Sequence, residues 1–170
     1  MDYLIVVDMQ RDFVDGALGT AEAIAIIPRV KSVISDFVGE IIYTRDTHEE
    51  DYLATREGRM LPVKHCVRGS EGWQIVPEVY KVGSKIFDKP TFGSLELIDY
   101  LASENEREPI GSVTLIGVCT DICVVSNAML IKSRFPEIEV LVDSQACAGV
   151  TPDTHAAALT TMKMCQITVK

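Results

Sequence analysis

Six short apolar runs along the chain constrain its fold more than any other feature of the sequence. The runs are rich in β-branched residues and cover residues 3–7, 40–44, 85–87, 113–118, 138–142 and 166–169. Continuous apolar runs of this length are typical of strands buried on both faces, as in a parallel sheet. They predict a six-stranded, mostly parallel sheet.

Helical patterns lie between these runs. Apolar residues recur there at intervals of three and four, and turn or capping residues flank them. The patterns cover residues 27–37, 95–101, 124–131 and 151–164. This alternation of strands and helices predicts one three-layer α/β domain over residues 1–170, with helices on both faces of the sheet.

The composition argues against several classes of function. The 170 residues include 16 Lys and Arg against 25 Asp and Glu, a formal net charge of −9. Proteins that bind nucleic acids or anionic membranes need a clustered basic surface, so neither partner is expected. The apolar runs are too short for a membrane span, and the first residues do not resemble a signal peptide. The five cysteines are odd in number and form no C-x-x-C pair, so we expect a cytoplasmic protein.

Three reactive residues follow predicted strands, at the sheet edge where open α/β folds bind ligands. Asp8 is either a turn residue or a catalytic carboxylate. Lys89 is either a solvated surface charge or an inward cation that favours a neighbouring carboxylate and thiolate. Cys123 is either a small buried apolar residue or a nucleophile. In the second case, a helix capped by Thr120 or Asp121 would place it in the first turn and lower its pKa.

A long polar segment, residues 46–81, interrupts the alternation. Segments of this length inside a compact domain are commonly functional. It contains Asp46, His48, Glu57 and His65. An Asp-x-His pair with a more distant histidine suits a divalent metal that keeps open positions for water. The alternative is a polar loop whose histidines are solvated.

Six strings distributed over nearly the whole chain form a further pattern. In order they are VVDMQRDFVDGALG, RDTH, PVKHCVRGSEGW, KPTFGS, GVCTDICV and VDSQACAG. Together they resemble the isochorismatase-like cysteine hydrolases, and within them the nicotinamidases. The resemblance implies the isochorismatase-like hydrolase fold and a catalytic triad of Asp8, Lys89 and Cys123. It also implies an oxyanion hole made by the backbone amides of Cys119 and Cys123, beside a cis peptide bond at Val118–Cys119.

The same resemblance implies a metal centre. Its ligands would be Asp46, His48 and His65, with Glu57 as the nearest candidate for a further loop ligand. One divalent ion is expected, zinc first, with iron, manganese and magnesium as alternatives.

The substrate wall departs from the family pattern. Nicotinamidases commonly carry a bulky aromatic residue after the metal-binding Asp and another shortly before the last metal-binding His. This chain has Thr47 at the first place, and Leu61 and Pro62 near the second. Phe13 and Phe92 are left as the aromatic surfaces expected to bind substrate.

The expected function is therefore a metal-containing cysteine amidohydrolase for a small carboxamide. The first candidate substrate is nicotinamide, converted to nicotinate and ammonia through a thioester. The alternatives are an isochorismatase-type reaction, hydrolysis of another small amide, or a non-catalytic ligand-binding relative. A homo-oligomer is left open.

Overall fold

The structure, a computed structural model, describes every residue from Met1 to Lys170. Its centre is a sheet of six strands: β1 (Asp2–Val7), β2 (Glu40–Asp46), β3 (Lys85–Lys89), β4 (Ser112–Val118), β5 (Glu139–Ala148) and β6 (Thr168–Val169). Their order across the sheet is β3-β2-β1-β4-β5-β6, and every neighbouring pair is parallel. The predicted six-stranded α/β fold is confirmed.

Seven α-helices connect the strands. They are α1 (Arg11–Val14), α2 (Ala21–Ala25), α3 (Ile27–Asp36), α4 (Arg56–Met60), α5 (Leu95–Arg107), α6 (Val125–Arg134) and α7 (Pro152–Met164). Side-chain hydroxyls cap the N-termini of several helices: Thr20, Ser94 and Thr151 each accept a hydrogen bond from an amide of the first turn. Such caps satisfy amides that have no partner inside the helix. No helix is both long and apolar enough to cross a membrane.

Successive side chains of β1 enter two different cores. Tyr3, Ile5 and Val7 pack in a cluster of 22 buried residues that includes side chains of α5, α6 and α7. Leu4 and Val6 face the opposite way, in a cluster of 15 buried residues that includes side chains of α1, α2 and α3. Burial on both faces is the reason why β1 reads as a continuous apolar run rather than an alternating one.

The crevice that holds the site opens between β1 and β4. These two strands are neighbours at the centre of the sheet, where the order of connection reverses, and ligand sites of open α/β sheets lie at such a point. Gly117 of β4 lies beside Val7 with a φ of +115°, and a Cβ at this position would overlap the Val7 carbonyl oxygen. One residue further on, the Val118–Cys119 peptide bond is cis, as the family resemblance implies.

Candidate active site

Asp8, Lys89 and Cys123 meet beyond the carboxyl ends of β1, β3 and β4. Lys89 Nζ lies 2.6 Å from Asp8 Oδ2 and donates a hydrogen bond to Cys123 Sγ at 3.3 Å. All three residues are buried. Of the two alternatives for Lys89, the structure therefore has the inward cation and not the solvated surface charge.

Local contacts orient the Asp8 carboxylate. Asp8 has a φ of 46°, in the left-handed region, and its amide donates to the Thr44 carbonyl at 3.2 Å. The Thr44 hydroxyl donates to Asp8 Oδ1 at 2.6 Å. The other oxygen, Oδ2, makes the ion pair with Lys89 but accepts no well-directed hydrogen bond. One carboxylate oxygen is thus held in place, and the other remains able to accept a proton.

Cys123 does not lie in the first turn of a capped α-helix, so that expectation is wrong. A π-helical turn, Thr120–Val124, precedes α6, and no side chain caps it. The two expected caps have other partners: the Thr120 hydroxyl is hydrogen-bonded to His155 Nδ1 at 2.8 Å, and the Asp121 carboxylate accepts from the Val150 amide at 3.1 Å.

The expected lowering of the Cys123 pKa is also wrong. Burial raises the pKa of the Cys123 thiol well above its usual value; the negative charge of Asp8 acts in the same direction, and Lys89 opposes both. Burial likewise raises the pKa of Asp8, against the attraction of Lys89. Burial alone would lower the pKa of Lys89, but its anionic neighbours hold that pKa above the ordinary value. Burial and the Asp8 charge thus favour the protonated thiol over the thiolate, so attack by the sulfur needs a base.

The four candidate metal ligands come together beside this triad. One ligand atom from each of Asp46, His48, Glu57 and His65 lies within 4.8 Å of all the others. His48 Nε2 is buried 2.9 Å from Asp46 Oδ2 but makes no hydrogen bond. His65 Nδ1 is hydrogen-bonded to the Val63 carbonyl at 2.7 Å, and its Nε2 lies 3.4 Å from Asp46 Oδ2.

This donor set fits a divalent cation. It offers two imidazole nitrogens and two carboxylates, and one ring is oriented by a backbone carbonyl, as is common for metal-binding histidines. Burial alone would raise the pKa of Asp46, but its contacts with His48 and His65 hold that pKa well below the usual range. Asp46 is thus an anion, as a metal ligand must be. The solvated-loop alternative does not describe these buried histidines.

Gln10 fixes Asp46 and was not singled out by the sequence analysis. Its side-chain oxygen accepts from the Asp46 amide at 2.7 Å, and its side-chain nitrogen donates to the Asp46 carbonyl at 2.9 Å. On the far side, Lys89 Nζ lies 3.4 Å from Asp46 Oδ1. Asp46 therefore links the candidate metal centre to the triad.

A cavity of about 270 Å³ opens onto Cys119, Cys123 and the metal-ligand cluster. Its apolar wall is made by Phe13, Leu18, Leu61, Phe92, Ile122 and Val150. The two aromatic residues expected at the substrate site are thus both in the wall. Leu61 also lies there, and it is one of the residues near the place where the family carries an aromatic side chain. Leu18, Ile122 and Val150 are additions that the sequence analysis did not assign. No lysine or arginine lines the cavity, whereas Asp46 and Glu57 do.

Two further observations concern the wall and the backbone. Thr47 does not line the cavity; its hydroxyl accepts a hydrogen bond from Trp73 Nε1 at 2.8 Å. The Cys119 amide, one of the two expected oxyanion donors, makes no hydrogen bond within the protein. An unpaired amide beside the cavity is available to a ligand.

Comparison with known proteins identifies the family of this chain. A model of the isochorismatase domain matches residues 2–170. The chain belongs to the isochorismatase family. This confirms the resemblance drawn from the six sequence strings, and the relatives described next support its nicotinamidase branch.

The relatives span nearly the same length as this chain. An isochorismatase family protein of Bacillus subtilis is 29% identical over 92% of this chain and 91% of its own. A nicotinamidase/pyrazinamidase of Mycobacterium tuberculosis is 26% identical over 98% of this chain and 97% of its own. A crystal structure of the pyrazinamidase of Pyrococcus horikoshii in complex with zinc superimposes with a TM-score of 0.84, at 32% identity and with 99% and 98% of the two chains covered.

Proposed function

We propose that this isochorismatase-family protein is a metal-containing cysteine amidohydrolase that cleaves a small, uncharged carboxamide, with nicotinamide as the first candidate. Membership of the family and the nicotinamidase/pyrazinamidase relatives make it a hydrolase of amide C–N bonds. The observation that carries the proposal is the buried contact of Lys89 Nζ with both Asp8 and Cys123 at the floor of the cavity.

The reaction begins with transfer of the Cys123 thiol proton to Asp8 Oδ2. The sulfur attacks the amide carbon, and the backbone amides of Cys119 and Cys123 stabilise the negative oxygen that forms. Losing one such donor typically costs about 10²–10³ in rate. Asp8 then protonates the nitrogen, the C–N bond breaks, and ammonia leaves a thioester on Cys123.

Hydrolysis of the thioester completes the cycle. Asp8, again a carboxylate, accepts a proton from the attacking water, and the carbon–sulfur bond breaks to release the carboxylic acid. Asp8 then returns its proton to the sulfur, which regenerates the thiol. Lys89 keeps its charge throughout, because its pKa lies above the ordinary lysine value. It stabilises whichever of Asp8 and Cys123 carries the negative charge.

Asp46, His48 and His65 would hold one divalent ion, with Glu57 as a further ligand, and zinc is our first choice because it suits mixed nitrogen and oxygen ligands. The zinc complex of the Pyrococcus horikoshii pyrazinamidase supports that choice. When bound, the ion supplies a template that orients substrate and water through its open positions.

The charge of the cavity supports a neutral substrate. Its ionisable wall residues include Asp46 and Glu57 but no lysine or arginine, and Lys89 lies behind the floor, already paired. A dicarboxylate such as isochorismate would find no lysine or arginine there to bind its carboxylates, only the metal ion that Asp46 and Glu57 would help to hold. The isochorismatase-type alternative also needs no thiol. Both points favour amide hydrolysis.

Ammonia release from a panel of carboxamides tests the proposal. We expect release from nicotinamide or another small neutral amide, with loss of activity in Cys123→Ala and retention in the matched Cys165→Ala control. Treatment with a chelator should lower activity and remove close to one equivalent of metal, and added Zn²⁺ should restore both. If metal-loaded protein released no ammonia from any amide, the non-catalytic alternative would be the better one.

A further inference from the structure

His155 is the histidine that lies outside the candidate metal centre. The chain has three histidines, and the other two are His48 and His65. His155 lies in the first turns of α7, and its Nδ1 is hydrogen-bonded to the Thr120 hydroxyl at 2.8 Å. Thr120 is fully buried, and its hydroxyl has no other side-chain or backbone partner. His155 thus reaches from the partly exposed surface of α7 into the interior.

Thr120 belongs to the segment that carries the expected oxyanion donors. We call residues 119–123 the oxyanion turn, because the amides of Cys119 and Cys123 at its two ends face the cavity in the proposed reaction. The amides of Ile122, within the turn, and of Val124, just after it, both donate to the single carbonyl of Cys119, at 3.1 and 3.0 Å. No side chain caps the turn. Contacts from other elements must therefore help to fix its position.

Those contacts come from α7 and from the loop before it. Besides the bond from Thr120 to His155, the Asp121 carboxylate accepts from the Val150 amide at 3.1 Å. Gly149 allows the loop to pass close to His155, since a Cβ at position 149 would lie 2.9 Å from the His155 Cβ. Two consecutive residues of the oxyanion turn are in this way tied to one neighbouring unit.

We infer that His155 is a positioning residue: through the Thr120 hydroxyl, it holds the oxyanion turn where its amides meet the developing oxyanion. The inference rests on the proposed function. Its contacts do not include Asp8 or Lys89, so His155 should affect the stabilisation of a negative oxygen and not the reactivity of the Cys123 sulfur. That difference separates positioning from a general effect on the site.

Three variants and two probes test the inference. His155→Leu and Thr120→Val each remove the hydrogen bond, whereas the side-chain amide of His155→Asn can take the place of Nδ1. The first probe is benzaldehyde: the Cys123 sulfur bonds to its carbonyl carbon, and the carbonyl oxygen takes the thiol proton and occupies the oxyanion position. The second probe is iodoacetamide, which alkylates the same sulfur with loss of iodide and forms no oxyanion.

Displacing a donor should cost less than deleting one, so we expect His155→Leu and Thr120→Val to weaken benzaldehyde binding and to lower kcat about tenfold, with KM unchanged. His155→Asn should keep most of the wild-type affinity for benzaldehyde and most of the wild-type kcat. The double variant should be no worse than either single one, because both remove the same bond. Alkylation of Cys123 by iodoacetamide should proceed at the wild-type rate in every variant.

The outcomes separate this inference from the proposed function. If wild type released no ammonia but the benzaldehyde series behaved as described, the proposed function would fail and the inference would stand. If wild type hydrolysed amides while His155→Leu and Thr120→Val bound benzaldehyde as wild type does, the inference would be overturned alone. It would also be overturned if alkylation slowed as much as aldehyde binding weakened, or if wild type bound no aldehyde. Should His155→Leu not fold, Thr120→Val and His155→Asn carry the same comparison.

Discussion

Replacing Lys89 with methionine should destabilise the fold as well as stop turnover. The lysine side chain has no exposed surface, and its Nζ lies 2.6 Å from Asp8 and 3.4 Å from Asp46, both of them buried. The substitution leaves the buried Asp8 carboxylate without its cation, whereas Asp46 keeps its contacts with His48 and His65. Removing one partner of a buried ion pair costs about 3–5 kcal/mol. For a chain of this length that corresponds to a fall in Tm of roughly 6–20 °C.

Thermal unfolding at two pH values checks this reasoning. Without Lys89, the pKa of Asp8 in the folded state should rise further above that in the unfolded chain, because burial already raises it and the attraction of Lys89 is lost. The folded variant then binds more protons than the unfolded one, so its stability increases as the pH falls towards the ordinary carboxyl pKa of about 4. The difference in Tm between Lys89→Met and wild type should therefore be smaller at pH 4.5 than at pH 7. Lys31→Met on the exposed face of α3 is the control, with an expected change of at most about 0.5 kcal/mol. Equal Tm values for the two variants at pH 7 would refute the argument.

Three further substitutions probe other contacts. Cys123→Ser should fold as wild type does and show almost no ammonia release, because a hydroxyl is a far weaker nucleophile than a thiol beside a carboxylate base; substantial activity would contradict the thioester route. Gln10→Leu leaves the buried Asp46 amide without its acceptor and should lower the free energy of unfolding in urea by about 1–3 kcal/mol. Gly117→Ala sets a methyl group against the Val7 carbonyl at a φ of +115°, so Tm should fall sharply; a Tm equal to that of wild type would rule out the close approach.

The strands could be predicted well because burial on both faces leaves a strong local pattern. The bounds of β5 and β6 were the exceptions. The apolar runs suggest residues 138–142 and 166–169, whereas β5 continues to Ala148 and β6 covers only Thr168–Val169. Asp143 interrupts the run of β5 because it forms an ion pair with Arg29 at 2.6 Å and accepts from the Gln145 amide at 3.0 Å. The pairing of β4 with β5 shifts register at the same place. A polar contact from a distant helix has no signature in the local pattern.

Some residues of the candidate site could likewise be predicted from the sequence, and others could not. Asp8, Lys89 and Cys123 follow apolar runs, and a reader of the sequence can expect the ends of parallel strands to meet. Thr44 orients the Asp8 carboxylate and Gln10 holds the Asp46 backbone, but each contact joins residues 36 positions apart, and nothing next to them in the chain reveals this. The pKa of Cys123 was predicted in the wrong direction for a related reason. Local reasoning gives weight to the start of a helix, whereas burial and the charge of Asp8 arise only from tertiary packing.

Because the sheet is all-parallel, the amino ends of its strands lie on one side of the molecule and the carboxyl ends on the other. The two sides differ in how well they can accept an inserted segment. Each side chain of the candidate site lies at or beyond the carboxyl ends of the strands, whereas Val38 and Val82 precede β2 and β3 at the opposite end and are 88% and 89% exposed. Gly83 has open space around it, with no atom within 4 Å of a Cβ placed there. Exposed loop tips of this kind accept inserted segments. A reporter peptide or a fused domain could therefore be joined between Val82 and Gly83, on the side of the sheet away from the cavity.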